Sequence, residues 1–200
     1  MHAFFAIVSF FVMVGATIPY IADVVSGRAI TARSSRIMFV ILMVVTLFQQ
    51  RALGSGWSLT IIVSEAISAL MLLGSGLKYG VGGLTRLDIT CYLLLVMDIV
   101  VWVVTKNSFL ALHLSILADF VAFWPTVYKT VKNPQSETAL YYVAGVVAPL
   151  LAIAAETQRS YNTLAFPIYL AAGNSLEVLL IWGLYSRLVK STVAADLLVQ

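Results

Sequence analysis

Charged side chains are scarce in this chain. Lysine, arginine, aspartate and glutamate together supply 10% of its 200 residues, whereas soluble globular domains carry about 25%. So little charge excludes a water-soluble enzyme domain, a nucleic-acid-binding module and a disordered segment for most of the chain. We therefore expect neither a nucleic-acid partner nor a catalytic activity.

Cysteine and histidine are also rare. The single cysteine, Cys91, cannot form an internal disulfide, and only His2 and His113 could join it in a metal site. The sequence has no glycine-rich phosphate loop, which argues against ATP-driven pumping by this chain. The last apolar segment has no lysine at mid-membrane depth, which excludes a retinal Schiff base. We expect no cofactor.

Long apolar runs, by contrast, fill the chain. Hydrophobic residues make up 61% of it, and the mean hydropathy is +0.98. The runs 92–97 and 99–104 are apolar on every face, which indicates helices rather than the alternating strands of a membrane barrel. Because a bilayer-crossing helix needs about 20 apolar residues, we predict seven spans, at 3–24, 37–53, 57–77, 87–105, 108–128, 138–156 and 163–187.

The basic residues are distributed unevenly between the predicted loops. Nine of them fall on the membrane side that holds the C-terminus, and three fall on the side that holds the N-terminus. Since basic loops stay in the cytoplasm, we predict an outside N-terminus and a cytoplasmic C-terminus. An added or lost span would scatter the basic loops over both sides, so the bias also favours seven crossings in a single transmembrane domain, 1–200.

Two stretches of the chain resemble each other. Residues 18–28 read Ile-Pro-Tyr-Ile-Ala-Asp-Val-Val-Ser-Gly-Arg, and residues 124–134 read Trp-Pro-Thr-Val-Tyr-Lys-Thr-Val-Lys-Asn-Pro. Each has a proline near the end of a helix, then a basic loop, then a new apolar span. Both lie on the same predicted membrane side, which indicates parallel repeats, an arrangement found in secondary transporters. We predict two three-helix units, 1–80 and 107–190, joined by a connector helix at 85–106.

These stretches resemble the signature segments of bacterial seven-helix proteins in the PQ-loop and SWEET-like group. The resemblance rests on Pro19–Arg28 with Thr31 and residues 34–35, on Pro125–Thr138, and on Arg86–Asp88, Asp119 and Asn174. It implies an all-α fold of the 3+1+3 type in a bacterial cytoplasmic (inner) membrane. SWEET relatives are sugar facilitators, and some lysosomal PQ-loop relatives export amino acids with protons. The usual proline–glutamine pairs are replaced here by Pro19-Tyr20 and Pro125-Thr126.

Four carboxylates fall inside predicted spans: Glu65, Asp98, Asp119 and Glu177. Charge at bilayer depth is costly, so each must face the bundle interior, water or an interface. Asp119 lies near Pro125, where it would couple proton or solute occupancy to gating, or else accept a hydrogen bond from a neighbouring helix. Glu65 and Glu177 would flank a central pathway or reach a wetter zone. For Asp98 we favour a structural role.

Asn174 is the sharpest candidate for a solute contact. The resemblance implies an asparagine that binds cargo on the third helix of a unit, and an amide offers donors and acceptors to hydroxyl-rich solutes. Superposing the third helices places Ser64 or Ser68 opposite it. The alternative is that Asn174 only links helices. Trp124 would stack on a solute ring or belong to the interfacial aromatic belt.

Prolines at 19, 125 and 149 each remove one helix hydrogen bond. Pro19, Pro125 and Pro149 would act as hinges for rocking units, or only as packing kinks. We therefore expect a carrier for a small polar, sugar-like solute that works by alternating access, with possible partners being the bilayer and further copies of itself. The competing expectation is a receptor or scaffold that does not transport, in which the buried polar groups satisfy one another and leave no cavity.

Overall fold

The described part of the chain is entirely helical. The computed structural model describes the backbone of residues 1–31, 33–80 and 85–199, and the side chains there except those at 34–35 and 184–199. Within these ranges there are seven α-helices, one 3-10 turn at Pro134–Ser136 and no strand. The α-helices are α1 His2–Val25, α2 Arg33–Ala52, α3 Leu59–Tyr79, α4 Arg86–Thr105, α5 Ser108–Lys132, α6 Ala139–Ala155 and α7 Tyr161–Val199.

Five of the described helices are long and apolar enough to cross a membrane. They are α1, α3, α4, α5 and the Tyr161–Gly183 part of α7. Helix α6 is apolar but has only 17 residues, and α2 carries two glutamines and three arginines among its 20 residues. The prediction of an all-helical chain is confirmed, and its apolar helices are those of a multi-pass membrane protein.

Two sets of three consecutive helices, α1–α3 and α5–α7, here called helix groups, have the same order of internal contacts. In the first group α3 lies between α1 and α2, and in the second group α7 lies between α5 and α6. The groups meet where α1 packs on α6 and α2 packs on α5, so the first helix of each group contacts the second helix of the other. Helix α4 packs on α5 and, less extensively, on α2.

Helix α6 presents a buried face made largely of small residues. Apart from Tyr142 and Pro149, its buried residues are Ala144, Gly145, Ala148, Ala152 and Ala155. Such residues let helix backbones approach closely in membranes. Two side chains of α1 reach carbonyls on this face: Ser9 Oγ donates to Ala148 O at 2.7 Å, and His2 Nδ1 lies 2.9 Å from Ala155 O.

The large apolar core lies away from the α1–α2 and α5–α6 loops. Its fully buried members include Met13, Leu42, Ile61, Leu112 and Phe166, drawn from α1, α2, α3, α5 and α7. A second, smaller apolar cluster around Tyr20 and Leu72 lies near those loops. The polar interior described below lies on the loop side of the large core.

Candidate solute-binding cavity

A cavity of about 240 Å³ lies between the two helix groups. Its lining comes from α1, α2 and α3 on one side and from α5, α6 and α7 on the other. It extends from the α1–α2 and α5–α6 loops, at Thr31 and Glu137, to mid-helix positions at Glu65, Asp119 and Asn174. Among the residues that the structure describes, α4 contributes none to the lining.

At the loop end of this cavity, the Glu137 carboxylate accepts hydrogen bonds from two tyrosine hydroxyls and pairs with a lysine. Tyr142 Oη donates to Glu137 Oε2 at 3.0 Å, Tyr20 Oη donates to the same oxygen at 3.3 Å, and Lys129 forms an ion pair with Oε1. Tyr20 belongs to the first helix group and the other residues to the second. The carboxylate therefore ties the two groups together at the loop end.

Arg36 completes this set, which we call the mouth cluster: Tyr20, Arg36, Lys129, Glu137 and Tyr142. Its Nη2 donates to Tyr20 Oη at 3.1 Å, its Nε donates to Thr31 Oγ1 at 2.5 Å, and its guanidinium carbon lies 5.6 Å from the Tyr20 ring centre. The aliphatic stem runs against α3, where a Cβ on Gly76 would lie 2.8 Å from Arg36 Cγ. Glycine at position 76 therefore leaves room for the arginine.

Two carboxyl groups, Glu65 and Asp119, line the cavity farther inside. Asp119 on α5 is 6% exposed, and its Oδ2 accepts a hydrogen bond from Tyr169 Oη at 2.6 Å. Glu65 on α3 lines the same cavity and makes no hydrogen bond or ion pair with any described residue. The inner end of the cavity is therefore acidic.

Asn174 lines the cavity beside these carboxyl groups. Its Nδ2 donates to Leu170 O at 2.8 Å, one turn back on α7. The amide lies directly against Gly145 of α6, where a Cβ would come within 2.3 Å of Asn174 Oδ1 and 2.9 Å of Nδ2. No side chain could occupy position 145 unless the amide moved, so Gly145 leaves the space that the Asn174 amide occupies.

The other residues predicted to contact solute lie outside the cavity lining. Ser64 Oγ donates to Ile61 O at 2.8 Å within α3, and Ser68 Oγ accepts from Thr17 Oγ1 of α1 at 2.8 Å. Trp124 is 53% exposed on the outer surface. Helix α3 contributes Glu65, Ala69 and Leu72 to the lining, and neither of the two serines.

The predicted coupling and hinge residues divide between the cavity and the helix contacts. Pro125 lines the cavity on α5, and Pro19 directly precedes the mouth-cluster residue Tyr20. Pro149 is buried in α6, next to the carbonyl that accepts from Ser9. Glu177 lies outside the lining: Thr130 Oγ1 donates to its Oε1, while Oε2 is buried without a partner among the described residues.

Asp98 belongs to a separate polar network between α2, α4 and α5. It accepts from Gln49 Nε2 at 2.8 Å and from Ser115 Oγ at 2.5 Å, and Ser115 Oγ also lies 2.9 Å from Gln49 Oε1. All three residues are fully buried. The structural role favoured for Asp98 agrees with these contacts, which link three helices.

Glu156 forms a second tie between the helix groups, at the end of α6 remote from the mouth cluster. Its Oε2 accepts hydrogen bonds from Ser58 Oγ at 2.5 Å and from the N–H groups of Ser58 and Gly56 at 2.9 and 3.0 Å. Its Oε1 accepts hydrogen bonds from the N–H groups of Thr157 and Gln158. Burial opposes ionisation, but these hydrogen bonds outweigh it and lower the pKa of Glu156 to about 2. The carboxylate therefore stays charged and caps the start of α3.

The sequence reasoning missed most of the mouth cluster and the role of Glu156. The count of basic residues in the loops included Arg36 and Lys129 but gave them no further role. Glu156 lies inside the span predicted at 138–156, whereas α6 ends at Ala155. The available signal was the repeat itself, because Tyr20, Lys129 and Glu137 all lie in or beside the two similar stretches.

Comparisons of the chain with protein-family models, with curated proteins and with solved structures find no match. The resemblance stated above therefore rests on the motifs of this sequence alone. Within the described residues, no group of three or more histidine, cysteine, aspartate or glutamate side chains could hold a metal ion.

Proposed function

We propose that the chain is a membrane carrier for a small polar solute. In this proposal two three-helix units, 1–80 and 107–190, are joined by the connector 85–106 and rock against each other in a bacterial cytoplasmic membrane. The N-terminus lies outside and the C-terminus in the cytoplasm. The observation that carries the proposal is the cavity of about 240 Å³ between the helix groups, lined by groups from both.

The competing expectation was a receptor or scaffold that does not transport. Such a protein would have buried polar groups that satisfy one another without leaving a cavity. Here Glu65 has no partner among the described residues, and Asn174 bonds only to a carbonyl of its own helix. Polar groups from both helix groups that line a cavity support a carrier over a scaffold.

The two ties between the helix groups suggest where access would alternate. The mouth cluster joins Tyr20 and Arg36 of the first group to Glu137 of the second at the loop end. Glu156 joins the second group to Ser58 at the other end. In the proposed cycle, one tie breaks while the other holds, so the cavity never opens to both sides at once.

Within this cycle Asn174 would contact the solute, Asp119 would couple a proton or cation to its movement, and Pro125 would absorb the bend of α5. Asp119 suits that role because it lines the cavity, is 6% exposed and lies six residues before Pro125 on one helix. A change in its charge would act directly on the helix that carries the proline.

Reconstituted vesicles would test the proposal. We expect the purified protein to exchange at least one labelled solute from a panel of sugars, polyols, amino acids and organic acids, tested at about pH 5.5 and about pH 7.5. Asn174→Ala should abolish the exchange, while Asn107→Ala, which removes an amide at the N-terminus of α5 outside the cavity, should retain it. No exchange of any solute would refute the proposal.

A further inference from the structure

Of the charged groups that line the cavity, some have a partner of opposite charge among the described residues and others have none. Three carboxyl groups and two basic groups face it: Glu65, Asp119, Glu137, Arg36 and Lys129. Lys129 is paired with Glu137, and Arg36 is held by two hydroxyl groups at the mouth. The two inner carboxyl groups are therefore left without a basic partner among the described residues.

Asp119 is buried and Glu65 is half-buried, and both lack most of the hydrogen bonds that a carboxyl group withdrawn from bulk water needs. Asp119 accepts one, from Tyr169, and Glu65 has none among the described residues. A carboxylate can accept about four hydrogen bonds, and leaving a buried one unpaired is costly. These two groups border an open space rather than packed side chains, so a ligand in that space can supply the missing donors and positive charge.

We propose that the transported solute carries a protonated amine, and that its ammonium group binds between Glu65 and Asp119. The assignment rests on the proposed carrier function and specifies its cargo. An ammonium group supplies three N–H donors and one positive charge. These suit two carboxyl groups, one ionised and one protonated, that have no basic partner and only the Tyr169 hydroxyl as a donor among the described residues. Asn174 then binds a hydroxyl or carbonyl group elsewhere on the same solute.

The rest of the lining fits an organic cation better than a bare metal ion. Tyr141 and Phe123 present aromatic rings to the cavity, and such rings attract ammonium groups. A cavity volume of about 240 Å³ exceeds what a single inorganic ion requires. Two carboxyl groups also fall short of the six or more oxygen ligands that calcium prefers.

Three probes with the same two-carbon skeleton isolate the charge. Ethanolamine, ethylene glycol and glycolate differ mainly in one terminal group, which is positive, neutral or negative. We expect ethanolamine and longer amino alcohols to raise the thermal midpoint of the purified protein in nanodiscs, since any ligand that binds the folded state does so. Ethylene glycol and glycolate should have no effect at the same concentration and ionic strength.

Glu65→Gln and Glu177→Gln form a matched pair of variants. Both make the same near-isosteric change on the third helix of a group, but only Glu65 lines the cavity. We expect Glu65→Gln to require about tenfold more amine, or more, for the same midpoint shift, because a charged hydrogen bond is lost. Glu177→Gln should respond like the unmodified protein.

Other outcomes overturn the amine assignment and distinguish it from the carrier proposal. If sugars or polyols bind and exchange but no amine does, or if Glu65→Gln keeps its response to ethanolamine, the cargo assignment is wrong while a carrier remains. If no solute binds or exchanges at all, both proposals fail. The comparison of the three probes in the unmodified protein does not depend on any variant folding correctly.

Discussion

Replacing Glu156 by glutamine should weaken the tie at the far end of α6. A pKa lowered from 4.5 to about 2 corresponds to about 3 kcal/mol of stabilisation, at about 1.4 kcal/mol per pKa unit. Because the loop borders solvent, we expect the measured loss of stability to be about 2 kcal/mol. Glutamine keeps the shape of the side chain but turns an NH₂ group towards N–H donors that need an acceptor.

The effect of Glu156 should depend on pH in one direction. Its pKa is lower in the folded than in the unfolded state, so its stabilisation is complete above about pH 5 and is lost as the pH falls towards about 2. Reversible denaturation in mixed micelles should therefore give a gap between the unmodified protein and Glu156→Gln that narrows as the medium becomes acidic. A gap that stays constant with pH, or the absence of any gap, would refute this reasoning.

A double-mutant cycle identifies the partner of Glu156. Ser58 donates from both its hydroxyl and its N–H to this carboxylate, whereas the nearby Thr60 hydroxyl donates to Trp57 O instead. Ser58→Ala and Glu156→Gln should be non-additive by about 1 kcal/mol. Thr60→Ala, the matched control two residues away, should be additive with Glu156→Gln.

Three further predictions concern the cavity and its surroundings. Gly145→Ala should displace the Asn174 amide and weaken solute binding, measured by thermal shift, about tenfold or more. Gly173→Ala on α7, where a Cβ meets no atom within 4 Å, should leave solute binding unchanged. Asp98→Ala should cost about 1–2 kcal/mol of stability in micelles without changing solute affinity, because its hydrogen bonds lie outside the cavity. Pro125→Ala should slow exchange in vesicles, because it restores a helix hydrogen bond at the proposed hinge.

Each of these predictions has an outcome that contradicts it. Equal binding by Gly145→Ala and Gly173→Ala would mean that Asn174 does not contact the solute. A change in solute affinity in Asp98→Ala would extend the binding site beyond the cavity. Unchanged exchange rates in Pro125→Ala would show that α5 does not bend there, and the rocking would have to be located at other residues.

Helix content could be predicted from sequence because the signal is local. Unbroken apolar runs such as 99–104 leave only a helix able to satisfy their backbone in lipid. The described helices begin and end within four residues of the predicted spans, except that α7 continues to Val199. The same reasoning could not place Glu156 correctly, because alanine continues up to it and only its contacts with Ser58, far away in sequence, mark the helix end.

Which side of each helix faces the cavity could not be predicted. Ser64 and Glu65 are neighbours in sequence, but they point about 100° apart around α3. The rotation of α3 that brings Glu65 inward depends on packing between distant residues, such as Gly76 against the stem of Arg36. The mouth cluster could not be predicted for the same reason, because Tyr20 and Glu137 come into contact only when the two helix groups pack together.

The small residues on the buried face of α6 would lower the energetic cost of moving one helix group along the other. Alanine and glycine have no rotamers to rearrange, so these residues of α6 would lose no side-chain entropy if α1 moved along the helix. Larger side chains would interlock as ridges in grooves and resist each step. The donors Ser9 and His2 end on backbone carbonyls, which repeat along a helix at every residue, so each donor could pass from one acceptor to the next. If the helix groups move as proposed, few side chains on the α6 side of this contact would have to change rotamer.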